Sequence, residues 1–219
     1  MKKYDTVIFD LDGTLLNTLE DLADAVNFVM NEYGYPKRTV EQVRQFVGNG
    51  IRRLMELAVP ENVSEEEFER AFEAFKTYYT EHCQIKTCAY EGIMPLLKTL
   101  YEKGYAMAIV SNKNHAAVCE LNDIYFKDYI RVAIGQKDGI RKKPAPDTVL
   151  QALKELGKEK ETAIYVGDSE VDFATAENTG MDCALVTWGF RTSEELSKFQ
   201  PAAFVEKAED LMKILENES

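Results

Sequence analysis

Two aspartates stand one residue apart directly after an apolar run near the start of the chain. The run Thr6-Val7-Ile8-Phe9 is followed by Asp10-Leu11-Asp12-Gly13-Thr14. An apolar run with turn residues after it predicts a strand buried on both faces, and the carboxyl ends of such strands are where open α/β sheets bind ligands. Two acids at that edge repel each other and lose hydration, so stability alone does not explain them. The pair indicates a bound cation, a shared proton or a reacting substrate.

Three later segments bring further polar side chains to predicted strand ends and the loops after them. Because the carboxyl ends of parallel strands share one edge of the sheet, we expect these side chains to meet Asp10 and Asp12 there. The set consists of Ser111, Asn112, Lys143, Asp168 and Asp172. Taken alone, Asp168 and Asp172 could form an acidic first turn favoured by the helix dipole. With two more aspartates at the same edge, a hard cation is the better explanation.

Magnesium is the cation that this set of side chains predicts. The expected ligands are all oxygen atoms, from Asp10, Asp12, Asp168 and Asp172, and carboxylates favour Mg²⁺ over zinc. The four cysteines form no C-x-x-C pair and have no histidine at zinc-finger spacing, which argues against a zinc site. A divalent cation and Lys143 would balance three ionised aspartates, so that an anionic substrate is no longer repelled.

The composition of the chain limits the classes of partner. A formal net charge of −12 argues against nucleic acid or an anionic membrane surface as the partner. The apolar runs are too short to span a bilayer, and the N-terminal residues lack a secretory apolar region. We therefore expect a cytoplasmic protein whose partner is neither nucleic acid nor a membrane.

The pattern of periodicity predicts an α/β fold with an inserted helical domain. Residues 1–16 and 87–219 alternate predicted strands and helices, which is typical of a Rossmann-like parallel sheet with helices on both faces. Residues 17–86 read as four helices, and an aromatic stripe on the last of them indicates packing surface rather than a ligand site. Because the insert follows the first strand, we expect it to act as a lid above Asp10.

These motifs resemble those of the haloacid dehalogenase superfamily. The resemblance covers the whole chain, including a helical cap inserted after the first motif. Its four segments, in order, are Asp10-Leu11-Asp12-Gly13-Thr14, Ser111-Asn112, Lys143-Pro144 and Gly167-Asp168-Ser169 with Asp172.

The resemblance implies an Mg²⁺-dependent phosphatase acting on a small phosphorylated metabolite. In that scheme Asp10 is the nucleophile that forms an aspartyl-phosphate. Asp12 is general acid and then general base, while Ser111 and Lys143 hold the transferring group. The metal would be held by Asp10, the Asp12 carbonyl and Asp168, with Asp172 orienting the site or bridging to the metal through water. Four further residues are expected to contact the substrate: Thr14, Asn112, Gly48 and Arg52.

Several functions remain open at this stage. The cap segment 46–52 and Trp188-Gly189-Phe190 are similar to the phosphoglycolate phosphatase branch, but inorganic pyrophosphatases and hexose-phosphate mutases share the core motifs. Asp12 argues against a true dehalogenase, which lacks the second acid. Asn17 and Glu91 depart from the usual pattern of the family. A phospho-receiver signalling domain also combines aspartates, a hydroxyl and a lysine, but it has no helical insert.

Overall fold

A computed structural model describes residues 3–216, which divide into two compact units. One unit contains the described residues up to Leu15 and those from Ala89 onward, and the other is Leu16–Cys88. The α/β domain is predicted over residues 1–16 and 87–219. Residues 1–2 and 217–219 of that prediction lie outside the described residues.

The secondary structure alternates in the order expected for an α/β fold with a helical insert. The strands are β1 (Thr6–Phe9), β2 (Leu16–Asn17), β3 (Cys88–Ala89), β4 (Ala106–Asn114), β5 (Val132–Gln136), β6 (Ala163–Gly167), β7 (Asp182–Val186) and β8 (Ala203–Val205). The helices are α1 (Leu19–Glu32), α2 (Val40–Phe46), α3 (Ile51–Ala58), α4 (Glu65–His82), α5 (Ile93–Glu102), α6 (His115–Tyr125), α7 (Asp147–Leu156), α8 (Glu170–Thr179), α9 (Ser193–Leu196) and α10 (Leu211–Glu216).

A six-stranded parallel sheet forms the centre of the first unit. Its strand order is β5-β4-β1-β6-β7-β8, and β1 is buried throughout, as its apolar run predicts. Phe9 aligns with Ile109 of β4 on one side and with Val166 of β6 on the other. The order of strands reverses at β1, so the loops after β1, β4 and β6 meet at a topological switch point. The predicted α/β fold class is confirmed, with six parallel strands.

Strand β4 extends further than its apolar run indicates. The sequence predicted a strand over residues 106–110, whereas β4 continues to Asn114. Its pairing with β5 shifts register between Val110 and Asn114. Such irregularities bend a strand and re-aim its side chains, and they are frequent beside active sites. Residues 111–113 therefore lie on an extended, irregular segment, not in a free loop.

The second unit contains four helices that pack around their own apolar core. Two of the helix starts follow predicted capping patterns: the Thr39–Gln42 capping box opens α2, and Ser64 accepts a hydrogen bond from the Glu67 N–H at the start of α4. The aromatic stripe of α4 packs into this core, as predicted, with Phe75 wholly buried. None of the helices between residues 3 and 216 is long and apolar enough to cross a membrane.

Candidate active site

Asp10 lies immediately after β1, with one carboxylate oxygen held by two donors. The Leu11 N–H donates to Oδ1 at 2.7 Å, and the Lys143 ammonium lies 2.9 Å from the same oxygen. Within the part of the chain that the structure describes, Oδ2 of Asp10 has no protein donor. The side chain is therefore fixed through one oxygen, and the other is available for chemistry.

Asp172 is wholly buried at the start of α8, where protein donors engage both of its oxygens. Oδ1 accepts from the Lys143 ammonium at 2.7 Å and from the Tyr165 hydroxyl at 3.2 Å. Oδ2 accepts from the Ser169 hydroxyl at 2.6 Å and from the backbone N–H groups of Asp168 and Ser169. This carboxylate consequently fixes both Lys143 and the loop after β6.

Asp168 is held by the loop that follows β7. The backbone N–H of Phe190 donates to its Oδ2 at 2.6 Å. Gly189 makes this approach possible, because a Cβ there would lie 2.3 Å from Cβ of Asp168 and 2.4 Å from the Gly13 carbonyl oxygen. The Trp188 indole N–H also donates to the Thr14 carbonyl oxygen, at 3.0 Å. The segment 188–190 thus supports the aspartate loop from the side of β7.

The pKa values of Asp10 and Asp168 are raised, whereas the pKa of Asp172 is lowered. Burial, together with the charge of Asp172, raises the pKa of Asp10 well above its usual range, although Lys143 opposes this. The same two causes raise the pKa of Asp168 to about 7. Burial alone would raise the pKa of Asp172, but the Lys143 charge and the hydrogen bonds to the carboxylate outweigh burial and lower it. In Asp10 and Asp168, by contrast, the nearby cations do not outweigh burial and the charge of Asp172.

This arrangement fits a hard divalent cation. Asp10, Asp168 and Asp172 each place a carboxylate oxygen so that the three atoms lie within 4.8 Å of one another. All three candidate ligand atoms are carboxylate oxygens, the type that Mg²⁺ prefers. A cation at this point would stabilise the ionised forms of Asp10 and Asp168, whose pKa values are raised by burial and by the charge of Asp172.

The second aspartate of the first motif, Asp12, contacts a lysine that the sequence analysis did not select. Lys113 Nζ lies 3.1 Å from Oδ1 of Asp12, and the side chains are 6% and 15% exposed. Ser111, on the same segment of β4, is buried, and its Oγ accepts a hydrogen bond from the Lys113 N–H at 3.1 Å.

Two of the predicted substrate contacts lie in the first unit. Thr14 is wholly buried, with its hydroxyl 3.4 Å from Oδ1 of Asp168. The Asn112 side chain donates to the Lys143 carbonyl oxygen at 3.2 Å. Each therefore supports a neighbour in the predicted site: Thr14 contacts an aspartate, and Asn112 holds the loop that presents the lysine.

The other two predicted contacts belong to the helical unit. Gly48 lies between α2 and α3 with a φ of 122°, a conformation that favours glycine. Arg52 on α3 pairs with Glu69 and lies over the Phe68 and Phe72 rings, at 5.1 and 5.4 Å from their centroids. Its side chain is 47% exposed. An anionic ligand of Arg52 would compete with Glu69 and with the two other acids that pair with this arginine, Glu56 and Glu65.

The sequence does not predict three groups that hold the candidate site residues in place. Lys113, Tyr165 and the Phe190 N–H each contact a predicted site residue. Lys113 carried a signal, because it directly follows Ser111-Asn112. Tyr165 lies within the apolar strand β6, so the sequence gives no sign that its hydroxyl contacts the site. The Phe190 contact uses a backbone N–H, which every residue except proline has, so no residue type indicates it.

Comparisons with known proteins identify relatives over nearly the whole chain. A family profile described as haloacid dehalogenase-like hydrolase matches residues 7–186. Phosphoglycolate phosphatase 1 of Pseudomonas aeruginosa is 34% identical over 94% of this chain and 78% of its own length. Pyrophosphatase PpaX of Anoxybacillus flavithermus is 31% identical over 96% of both chains. A Lactobacillus delbrueckii subsp. bulgaricus crystal structure, assigned by inference as a phosphoglycolate phosphatase, has a TM-score of 0.93 at 38% identity, covering both chains completely.

Proposed function

Because the chain belongs to the haloacid dehalogenase-like hydrolase family, we propose that it hydrolyses a small phosphomonoester through an aspartyl-phosphate on Asp10. The observation that carries this proposal is the way in which the two carboxylate oxygens of Asp10 are contacted. One of its oxygens is fixed by Leu11 and Lys143, and the other has no protein donor. A carboxylate held in this way can attack phosphorus with a defined orientation.

In the first step, Oδ2 of Asp10 attacks phosphorus, and the bond between phosphorus and the ester oxygen breaks. The electron pair goes to the departing oxygen, which takes a proton from the Asp12 carboxyl group. Lys143 offsets negative charge at the attacking carboxylate. The Ser111 hydroxyl lies at the same edge of the sheet as Asp10. It can donate to a phosphoryl oxygen while it still accepts a hydrogen bond from the backbone N–H of Lys113.

In the second step, water attacks the phosphorus of the aspartyl-phosphate. The Asp12 carboxylate takes the proton of the water, and the bond between phosphorus and Asp10 breaks. Inorganic phosphate leaves, and both aspartates return to their starting states. Asp12 thus gives and takes one proton in each turnover.

We propose Mg²⁺ as the cofactor, held by the Asp10 carboxylate, the Asp12 carbonyl and Asp168. When bound, it supplies positive charge that attracts the phosphate group and stabilises charge in the transition state. Asp172 already uses both oxygens for protein donors, so we assign it the orienting role, through Lys143 and the loop at residues 168–169.

We propose 2-phosphoglycolate as the first candidate substrate. Relatives named phosphoglycolate phosphatase in Pseudomonas aeruginosa and Aquifex aeolicus support this choice. Arg52 would bind the carboxylate of the substrate in the helical unit, which we propose to be a lid. Inorganic pyrophosphate is the second candidate, because a pyrophosphatase is nearly as similar to the chain. Hydrolysis of a small metabolite also agrees with the cytoplasmic location expected from the sequence.

The test is phosphate release with Mg²⁺ from 2-phosphoglycolate, pyrophosphate and β-glucose-1-phosphate. We expect multiple turnovers on one of the first two. Conversion of β-glucose-1-phosphate into an isomer without phosphate release would instead indicate a mutase. One phosphate incorporated per chain, with slow release, would indicate a receiver-like protein.

Two variants test the roles of the aspartates. Asp10→Asn should lose activity by several orders of magnitude while the protein stays folded, and Asp12→Asn should accumulate the aspartyl-phosphate. Asp128→Asn is the matched control, because this exposed residue precedes β5 at the opposite edge of the sheet. Full activity of Asp10→Asn would show that the nucleophile is wrongly assigned.

A further inference from the structure

Lys113 is a buried lysine beside Asp12 that the steps above do not use. The residue is 8% exposed, at the carboxyl end of β4. Its ammonium lies 3.1 Å from Oδ1 of Asp12. Removing an ammonium and a carboxylate from water costs free energy that largely offsets their attraction, so a buried pair contributes little net stability. Stability alone therefore does not account for this lysine.

The backbone around Lys113 is held in place by two neighbours. The Lys113 N–H donates to Ser111 Oγ, within the irregular segment of β4. On β5, Gly135 allows the strands to approach, because a Cβ there would lie 2.5 Å from the Lys113 carbonyl oxygen and 2.7 Å from Cα of His115. These contacts fix the point from which the lysine side chain extends to Asp12.

On the basis of the proposed function, we propose that Lys113 is the positioning residue for Asp12. By holding Oδ1, it sets the direction in which the Asp12 carboxyl group exchanges its proton with the departing oxygen and then with water. An ammonium donates to the carbonyl oxygen of a neutral carboxyl group as well as to a carboxylate. The contact can therefore persist while the proton leaves and returns.

Such a role has a kinetic signature that depends on the leaving group. The ratio kcat/KM reports the steps up to the first departure of the leaving group, so it reflects phosphoryl transfer to Asp10. 4-Nitrophenolate departs without a proton, whereas phenolate benefits from one. The two aryl phosphates are similar in size. The ratio of their kcat/KM values therefore isolates the need for a well-placed acid.

The experiment measures kcat/KM for both aryl phosphates with Lys113→Met. We expect phenyl phosphate to lose about tenfold to a hundredfold, since a misplaced catalytic group costs on that order. 4-Nitrophenyl phosphate should lose less than about threefold. Lys127→Met is the matched control, because it removes the same charge from an exposed turn. Parallel losses for both substrates would show that Lys113 has only a structural role.

A double-mutant cycle provides a second measurement on the best substrate of the phosphate panel. If Lys113 acts through Asp12, Lys113→Met should change the second-order rate constant for forming the aspartyl-phosphate by less than about twofold once Asp12 is Asn. An undiminished effect in that background would overturn the proposal. Lys113→Gln replaces the methionine variant if the latter fails to fold. Wild-type inactivity on every phosphate tested would instead contradict the proposed function.

Discussion

The ammonium of Lys143 lies 2.9 Å from Oδ1 of Asp10, and the side chains are 2% and 11% exposed. Burial alone would lower the pKa of Lys143, but Asp10 and Asp172 outweigh it and raise that pKa well above its usual range. The lysine is therefore a permanent cation, and it is the counter-charge that allows two buried carboxylates to stand beside each other.

Replacing this lysine should cost both stability and activity. Lys143→Met leaves buried carboxylates without their partner, which typically costs about 3–5 kcal/mol. We expect that loss in urea unfolding with chelator at pH 8. The loss should be smaller at pH 5, because Asp10, whose pKa is already raised by burial and by Asp172, then takes up a proton. Activity with Mg²⁺ should be abolished.

The neighbouring lysine supplies the control for this substitution. Lys142 is exposed, so Lys142→Met should change stability by less than about 0.5 kcal/mol and leave turnover intact. An equal loss of stability at pH 5 and pH 8 for Lys143→Met would contradict the assigned electrostatic role.

The loop after β7 should control metal affinity through a single glycine. A Cβ at position 189 would lie 2.3 Å from Cβ of Asp168 and 2.4 Å from the Gly13 carbonyl oxygen, so Gly189→Ala must push the loop at residues 188–190 and Asp168 apart. We expect Mg²⁺ affinity, measured by calorimetry, to fall at least about tenfold, since metal sites tolerate little displacement of a ligand. Gly139→Ala is the control, because it strains a backbone with a φ of 80° but meets no atom within 4 Å. Unchanged Mg²⁺ affinity in Gly189→Ala would remove Asp168 from the ligand set.

The stability of the metal-free protein should fall as the pH rises from about 4 to about 7. The pKa of Asp168 is about 7 in the folded chain and about 3.9 when unfolded. Over that interval the folded state holds the additional proton, so its advantage declines with rising pH. Saturating Mg²⁺ should remove the decline, because it binds the ionised carboxylates.

Asp168→Asn isolates this contribution. The unfolding free energies of the wild type and this variant are measured in chelator. As the pH rises from about 4 to about 7, the wild type should lose a few kcal/mol of stability relative to the variant. A difference that does not change with pH would show that burial does not perturb Asp168.

Arg52 should affect substrate binding more than turnover. A charge-assisted hydrogen bond contributes about 1.5–3 kcal/mol, so Arg52→Ala should raise KM for 2-phosphoglycolate by about tenfold or more, with a smaller change in kcat. Arg53→Ala is the matched control on the same helix, since Arg53 pairs with Glu56 and is 53% exposed. Equal KM values for the two variants would remove Arg52 from the substrate site.

Local patterns in the sequence determined most of the secondary structure. The apolar run before Asp10 predicted β1, and the two capping patterns predicted the starts of α2 and α4, because these signals act between residues close in the chain. Two further capping boxes, Ser169 with Asp172 at α8 and Thr192 with Glu195 at the short helix α9, are not among the predicted caps. The alternation of elements also determined the fold class, since parallel strands need helical crossovers.

Only the tertiary structure decided how the polar side chains connect. Placing β4 and β6 on either side of β1 brings Lys113 to Asp12 and Lys143 to both Asp10 and Asp172. The Phe190 N–H reaches Asp168 because β7 lies next to β6. These contacts join residues 22 to 133 positions apart, so no local periodicity encodes them. The sequence specified which chemical groups stand at the ends of the strands, and the order of the strands specified which of those groups touch.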